Sequence, residues 1–240
     1  VNKAAIEESG KSDEILFFMR AGCVQSLASC PMMWAGDQNV DWSEDDGLPS
    51  VLTATLSLAM SGMGLNHSDI GGYTTLYGMK RSKELLIRWA EQAAFSPLMR
   101  THEGNRPKDN WQFDSDQETI EAIARMTDVH VQLKPYLMHL VAENADQGIP
   151  VIRPIFLHYE LESFMSVKDS YLLGRDLLVA PVLEAGANSV VVTLPDDEWV
   201  HLFTKVEYRG GRHCIEAPLL RPAVFYRKQS SFASLFSSIQ

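Results

Sequence analysis

The sequence predicts an α/β fold: the later part of an α/β barrel, followed by a small antiparallel β domain. Three observations predict it. The first 160 residues alternate short apolar runs, polar loops and long stretches of helical spacing, the signature of parallel α/β architecture. The apolar runs end in polar or acidic residues, where α/β barrels place their active sites. From about residue 168 the texture turns to short β-rich runs split by Gly, Pro and Asp, and long helical patterns disappear. Three barrel-type strands can be counted, and eight close a barrel, so the chain reads as part of one.

"EILFFMRAG" (14–22) is an apolar run ending in an arginine and small residues, which predicts a buried strand feeding a loop. "LPSVLTATLSLAMSGMG" (48–64) carries apolar residues at helical spacing and stops at glycines. "GLNHSDIGGY" (64–73) reads as a short strand ending in His67, Ser68 and Asp69. Residues 79–100 form a long amphipathic helix pattern with Pro97 in its last turn, and residues 116–147 form another, interrupted at Pro135. "GIPVIRPIFL" (148–157) returns to strand chemistry. Downstream, "DSYLLGRDLLVAPVLEAG", "NSVVVTLPDD", "EWVHLF" and "LLRPAVFYRK" supply the β domain, and the final dozen residues have no assignable pattern.

Composition narrows the function. The chain has 240 residues, 45% of them hydrophobic, enough for a sizeable core. A net charge of −10 argues against nucleic acid or an anionic membrane as general partner. No apolar run reaches the roughly 18 residues of a membrane span, and the polar start "VNKAAIEESGKSDE" contains no signal segment and no initiator Met. The odd trio Cys23, Cys30 and Cys214 fits no metal spacing and predicts reduced thiols in a cytoplasm.

The chemistry-bearing residues cluster after the predicted strands. In "MWAGDQNVDW" Asp37 follows a glycine that permits a tight turn, and Trp34 can wall the site or stack on a sugar face. An acid against an apolar wall has its proton-bound form favoured and can serve as a general acid. From spacing alone, a turn or capping aspartate is the more economical account of Asp37. Asp41 reads as the N-cap of the next helix. Arg20, ending an apolar strand, should meet a carboxylate or a polar substrate. Asp69 precedes two glycines that let a loop approach closely, and is either a site acid or a buried one bonded to loop amides or Arg20. Tyr73 alone is uninformative. "FSPLMRTHEGNRP" packs Arg100, His102, Glu103, Asn105 and Arg106 into seven positions, which fits polyol recognition or a solvated helix terminus. No HxH, HExxH, Walker loop, GxGxxG or GxSxG occurs, so neither a metal nor a cofactor is expected.

Taken together, "RAG…MWAGDQNVDW", "GLNHSDIGGY", "FSPLMRTHEGNRP" and "LLGRDLLVAPVL" resemble glycoside hydrolase family 31, in order, over about residues 14 to 227. "WAGDQNVDW", "RTHEGN" and the Tyr closing "DIGGY" are closer still to the sulfoquinovosidases of that family. The resemblance implies a C-terminal half of a (β/α)8 catalytic barrel over 1–165 and a β-sandwich domain over 166–240. It implies that Asp37 is the catalytic acid/base, that Arg20 and His102 bind sugar hydroxyls, that Asp69 shapes the site floor, and that Tyr73 helps hold a sulfonate through a water. The family's nucleophile is an aspartate upstream of everything here, and no segment of the 240 residues matches it.

The resemblance therefore implies a retaining α-glycosidase that needs no cofactor, acts on sulfoquinovosyl glycerol or a related α-glycoside, and requires an N-terminal remainder as partner. The alternatives are an α-glucosidase or α-xylosidase of the same family, or a non-catalytic remnant. An open barrel edge predicts that the isolated chain is inactive and either needs its N-terminal half or dimerises.

Overall fold

The computed structural model describes residues 2–11, 14–160 and 162–240. The polar N-terminal stretch includes Val1, Ser12 and Asp13, which lie outside the described residues.

Helix α1 (Asn2–Ser9) opens the chain. Strands β1 (Phe18–Met19), β2 (Met32–Trp34) and β3 (Asn66–His67) form a parallel sheet in that order. Phe18 pairs with Met32, and Trp34 with His67. Helix α2 (Leu48–Met60) links β2 to β3; Pro49 sits in its first turn, where its missing N–H costs nothing. Its buried residues Leu48, Val51, Leu52, Thr55 and Ala59 recur at three- and four-residue steps, the spacing that places side chains on one helix face. The run 14–22 departs from expectation. Only two residues form strand, and Ile15, Leu16, Phe18 and Met19 are exposed rather than buried. β1 is the outermost strand of its sheet, so one flank has no neighbouring strand to cover it.

Helix α3 (Lys83–Ala93) is shorter than the 79–100 pattern. Ser82 caps it, accepting a hydrogen bond from Leu85 N–H, and the Ser96 hydroxyl donates to the Ala93 carbonyl at the other end. Everything from Leu85 to Ala93 is buried, including Arg88 and Glu91. Helices α4 (Gln117–Gln132) and α5 (Lys134–Gln147) meet at Leu133. Pro135 therefore begins a helix instead of breaking one, and Gly148 ends it with φ +71°.

Strands β4 (Ile152–Arg153), β5 (Tyr171–Leu173), β6 (Leu177–Ala180), β7 (Ser189–His201), β8 (Glu207–Glu216) and β9 (Ala223–Arg227) make a six-stranded antiparallel sheet, ordered β4-β5-β6-β9-β7-β8. The register of β7 against β8 shifts between Leu194 and Glu198, a span containing Pro195, which cannot donate to the ladder. Before the shift β7 pairs with β8; after it β7 also pairs with β9. Val192, Leu194 and Ile215 from the first arm share a core with Leu172, Leu178 and Phe225 from the other strands. That two-layer packing is sandwich-like. The chain closes with helix α6 (Ala233–Ser238), which buries Phe236.

The helical and β regions share one core, in which Trp89 and Phe95 join Tyr171, Leu177 and Val224. Arg88 ties α3 across it. Its guanidinium pairs with Glu91 at 2.9 Å and donates to the carbonyls of Ala187 and Ala217, while Glu91 accepts from Leu220 N–H. The β-side acceptors satisfy a charge that burial would otherwise make costly.

Candidate active site

The loop leaving β2 carries Trp34 to Asp37. Gly36 turns it with φ +102°, a conformation that disfavours any other residue. Asp37 Oδ2 accepts a hydrogen bond from Arg20 Nη1 at 3.0 Å, so the residue after β1 reaches the loop after β2. The Arg20 guanidinium lies 5.3 Å from the Trp34 ring centroid, and that of Arg100 lies 5.4 Å from the same ring and 5.1 Å from Phe18. Two cations on one indole make a positively charged, aromatic wall beside a carboxylate.

Asp69, after β3, is fully buried. It pairs with Arg100 and not with Arg20, the partner that the sequence left open; Arg20 is held by Asp37. Burial pushes the Asp69 carboxyl up, against the pull of Arg100 and His102. Arg100 Nε also reaches His67 Nε2 at 3.3 Å. Burial, with the Arg100 charge beside it, lowers His67 to about 4, so the ring is neutral near pH 7 and accepts at Nε2. Trp34 Nε1, Gln38 Oε1 and Asp69 Oδ2 are buried without a hydrogen-bond partner among the described residues.

A third loop joins through the glycine pair. The amides of Tyr73 and Thr74 both donate to the Gln38 carbonyl at 2.8 Å, and Thr74 Oγ1 donates to the Asp37 carbonyl at 2.7 Å. A Cβ on Gly72 would stand 2.8 Å from the Asn39 carbonyl, so only glycine allows this approach. The Tyr73 ring stands edge-on to His102, centroids 4.9 Å apart. Gly104 N–H donates to His102 Nδ1 at 3.1 Å, so Nδ1 is the accepting nitrogen and Nε2 is the one left to donate to a ligand oxygen.

Of the dense "RTHEGN" stretch, Arg100 and His102 enter this cluster. Asn105 instead accepts from Thr75 N–H, and Arg106 is exposed beside Asp109. Asp41 is not a helix cap: Gly47 caps α2, and Asp41 Oδ1 accepts from the amide and hydroxyl of Ser43 in a local turn. The sequence pattern assigned no role to Arg81, nor any specific partner to Arg100. Among the described residues, no group of three His, Cys, Asp or Glu side chains could hold a metal ion.

A parallel sheet whose strand ends gather carboxylates, arginines and a histidine on an aromatic wall, followed by an antiparallel sandwich-like domain, defines the class as a barrel-type α/β protein with its candidate site at the strand ends. The chain belongs to glycoside hydrolase family 31: residues 2–140 match the family's TIM-barrel domain and residues 148–230 its C-terminal domain. It is 60% identical to the sulfoquinovosidase of Escherichia coli, over 100% of this chain and 35% of that protein. It is 51% identical to the sulfoquinovosidase of Agrobacterium fabrum, over 100% of this chain and 37% of that one. A solved family 31 sulfoquinovosidase from E. rectale, in complex with an aza-sugar inhibitor, superposes with a TM-score of 0.97 at 51% identity, over 99% of this chain and 36% of that one. The chain thus spans about a third of the length of the relatives it matches.

Proposed function

We propose that this chain is the acid/base-bearing portion of a retaining α-glycoside hydrolase acting on α-sulfoquinovosides, such as sulfoquinovosyl glycerol. One observation carries the reading: Asp37 is held 3.0 Å from Arg20 beside Trp34, in a chain 60% identical to a sulfoquinovosidase along its whole length. Retaining glycosidases place two carboxyl groups about 5–5.5 Å apart. One attacks the anomeric carbon and displaces the aglycone, forming a glycosyl ester. The other protonates the departing oxygen and then deprotonates the water that hydrolyses the ester. Asp37 is the second carboxyl; the first comes from the part of the protein upstream of this chain. Arg20 orients the Asp37 carboxylate and grips sugar hydroxyls, His102 donates from Nε2, Asp69 braces Arg100 beneath the ring, and Tyr73 faces the substituent that distinguishes the sugar.

The barrel portion is assigned to residues 1–165 and the β-sandwich domain to 166–240; the last long helix ends at Gln147 and the run of antiparallel strands continues from Tyr171. The remainder of the polypeptide is the partner that covers the open edge at β1. Cytoplasmic residence fits Cys23, Cys30 and Cys214, which are all free. Among the described residues no helix is long and apolar enough to cross a membrane.

The test is hydrolysis of nitrophenyl α-sulfoquinovoside and α-glucoside by the full-length protein and its Asp37→Asn variant. The sulfonated sugar should be preferred. Asn should cost about 10²–10⁴-fold in kcat even on the nitrophenyl substrates, because the water that hydrolyses the glycosyl ester loses its base. Preference for the glucoside would select the α-glucosidase alternative, and full activity in the variant would remove Asp37 from the mechanism.

A further inference from the structure

We propose that Arg81 is the positioning residue of this site: one buried guanidinium that sets the spacing of Tyr73 and His102. Arg81 is 3% exposed and pairs with no carboxylate among the described residues. All its donors instead go to neutral acceptors on three loops. Nη1 donates to the carbonyls of Gly72 at 3.2 Å and His102 at 2.9 Å. Nη2 donates to the Glu103 carbonyl at 3.4 Å and to Gln112 Oε1 at 2.8 Å, and Nε donates to the Trp111 carbonyl at 2.7 Å. Gly72 directly precedes Tyr73, so one guanidinium nitrogen spans the backbone of both ligand-facing residues.

The surroundings fix the guanidinium in turn. Arg81 N–H donates to Asn110 Oδ1, and Asn110 Nδ2 donates to Thr75 Oγ1. A Cβ on Gly71 would meet Arg81 Cδ at 2.5 Å, so the glycine leaves room for the side chain. Burial lowers Arg81 to about 10, partly opposed by Asp69, and it remains charged at neutral pH. A full positive charge whose bonds are all to carbonyl and amide oxygens is an arrangement of geometry rather than of charge pairing. The planar, five-donor fork suits this task. A lysine offers a compact ammonium that cannot reach three loops at once.

The proposal rests on the reading of Tyr73 and His102 as ligand contacts, and its test separates the two. In the full-length protein, Arg81→Lys and the milder Gln112→Ala are compared with the parent for kcat and KM on nitrophenyl α-sulfoquinovoside. Backbone hydrogen exchange is followed in residues 72–77 and 100–106. Arg81→Lys should raise KM by about tenfold with kcat within about threefold, because binding geometry is lost and the reacting carboxyl is untouched. Gln112→Ala should shift KM in the same direction by about threefold. Exchange should quicken in both segments and stay unchanged in α3. An unaltered KM with unaltered loop exchange in Gln112→Ala overturns the proposal, even if Arg81→Lys fails to fold. A fall in kcat at constant KM in Arg81→Lys overturns it as well. A parent that turns over neither glycoside would defeat the functional reading alone, since loop exchange still reports on Arg81.

Discussion

At the scale of single residues, the site is a set of paired charges on an indole. Trp34 lies against both Arg20 and Arg100, and each arginine holds one aspartate. Exposure separates the two acids: Asp69 is fully buried, whereas the Asp37 side chain is 31% exposed. Only a carboxyl that substrate and water can reach can exchange protons with a leaving group and then with water. The Asp37→Asn variant should therefore depend on the leaving group. Nitrophenolate departs with little protonation, so its glycosyl-enzyme should still form and accumulate as a burst. An alkyl glycoside should lose both steps. Equal losses on both substrates would exclude Asp37 as the proton donor.

This much was legible locally. "WAGD" brings indole, turn and acid together within four residues, and the glycine pair after Asp69 signals a close approach. The partners of Asp69 and Arg81 were not legible. Arg100 lies 31 positions from Asp69, and Arg81 reaches back 9 and forward 31. Such pairs are set by which loops meet, and spacing along one element says nothing of that. An arginine immediately before the Ser82 cap of an apolar helix was the one available signal for Arg81.

At the scale of elements, α3 does the joining. Every residue from Leu85 to Ala93 is buried, which its amphipathic pattern did not foretell, because an amphipathic helix ordinarily turns its charged residues to solvent. They are instead an internal pair bonded to the β domain at Ala187, Ala217 and Leu220. Arg88→Met strands Glu91 without its cation and should destabilise the full-length protein by about 3–5 kcal/mol, read by denaturant unfolding. Adding Glu91→Leu should recover much of that loss, since a well-packed apolar pair can replace a buried ionic one. No recovery would mean that the bonds to the β domain, rather than the stranded charge, carry the cost. The helix end at Gly148 was legible because glycine acts through its own backbone; Pro135 was legible as an interruption, but it sits in the first turn of α5 instead of breaking a helix. That the parallel sheet has an open edge followed from its strand count; that the exposed run 14–22 lies on that edge did not, because it depends on the order of the strands.

At the scale of the whole molecule, acid and the open edge are the two weak points. His67, His158 and His201 are each lowered to about 4, burial being the first cause in every case. Between the ordinary histidine value and about 4 the unfolded chain binds protons that the folded chain refuses. Their contribution is thus complete at neutral pH and falls as pH drops through that window, by up to about 3 kcal/mol per imidazole. Asp69 and Glu91, raised by burial, work in the opposite sense and gain relative stability on acidification. His201 accepts at Nδ1 from the amides of Phe203 and Thr204, a role that an asparagine oxygen can fill. His201→Asn in the full-length protein should flatten the loss of thermal stability between pH 6.5 and 4; an unchanged slope would assign the acid sensitivity elsewhere.

The open edge concerns the 240-residue chain by itself. Ile15, Leu16, Phe18 and Met19 are exposed along β1, beside a groove of about 670 Å³ lined by Ile6, Leu16, Phe17, Pro31 and Met138. Expressed alone, the chain should self-associate and hydrolyse no glycoside, as sedimentation and activity assays would show. A cooperatively melting monomer would contradict this.

By itself the sequence determined the alternation of strand and helix, the change to antiparallel β structure, the helix stops and the loop that presents Asp37. All of these follow from periodicity and from residues acting on their own backbone. Tertiary structure alone decided that Asp69 belongs to Arg100, that Arg81 joins three loops, that Arg88 and Glu91 face inward and that the open edge falls at β1. Burial and pairing depend on which distant segments pack together, and long-range packing leaves no fixed spacing in the chain.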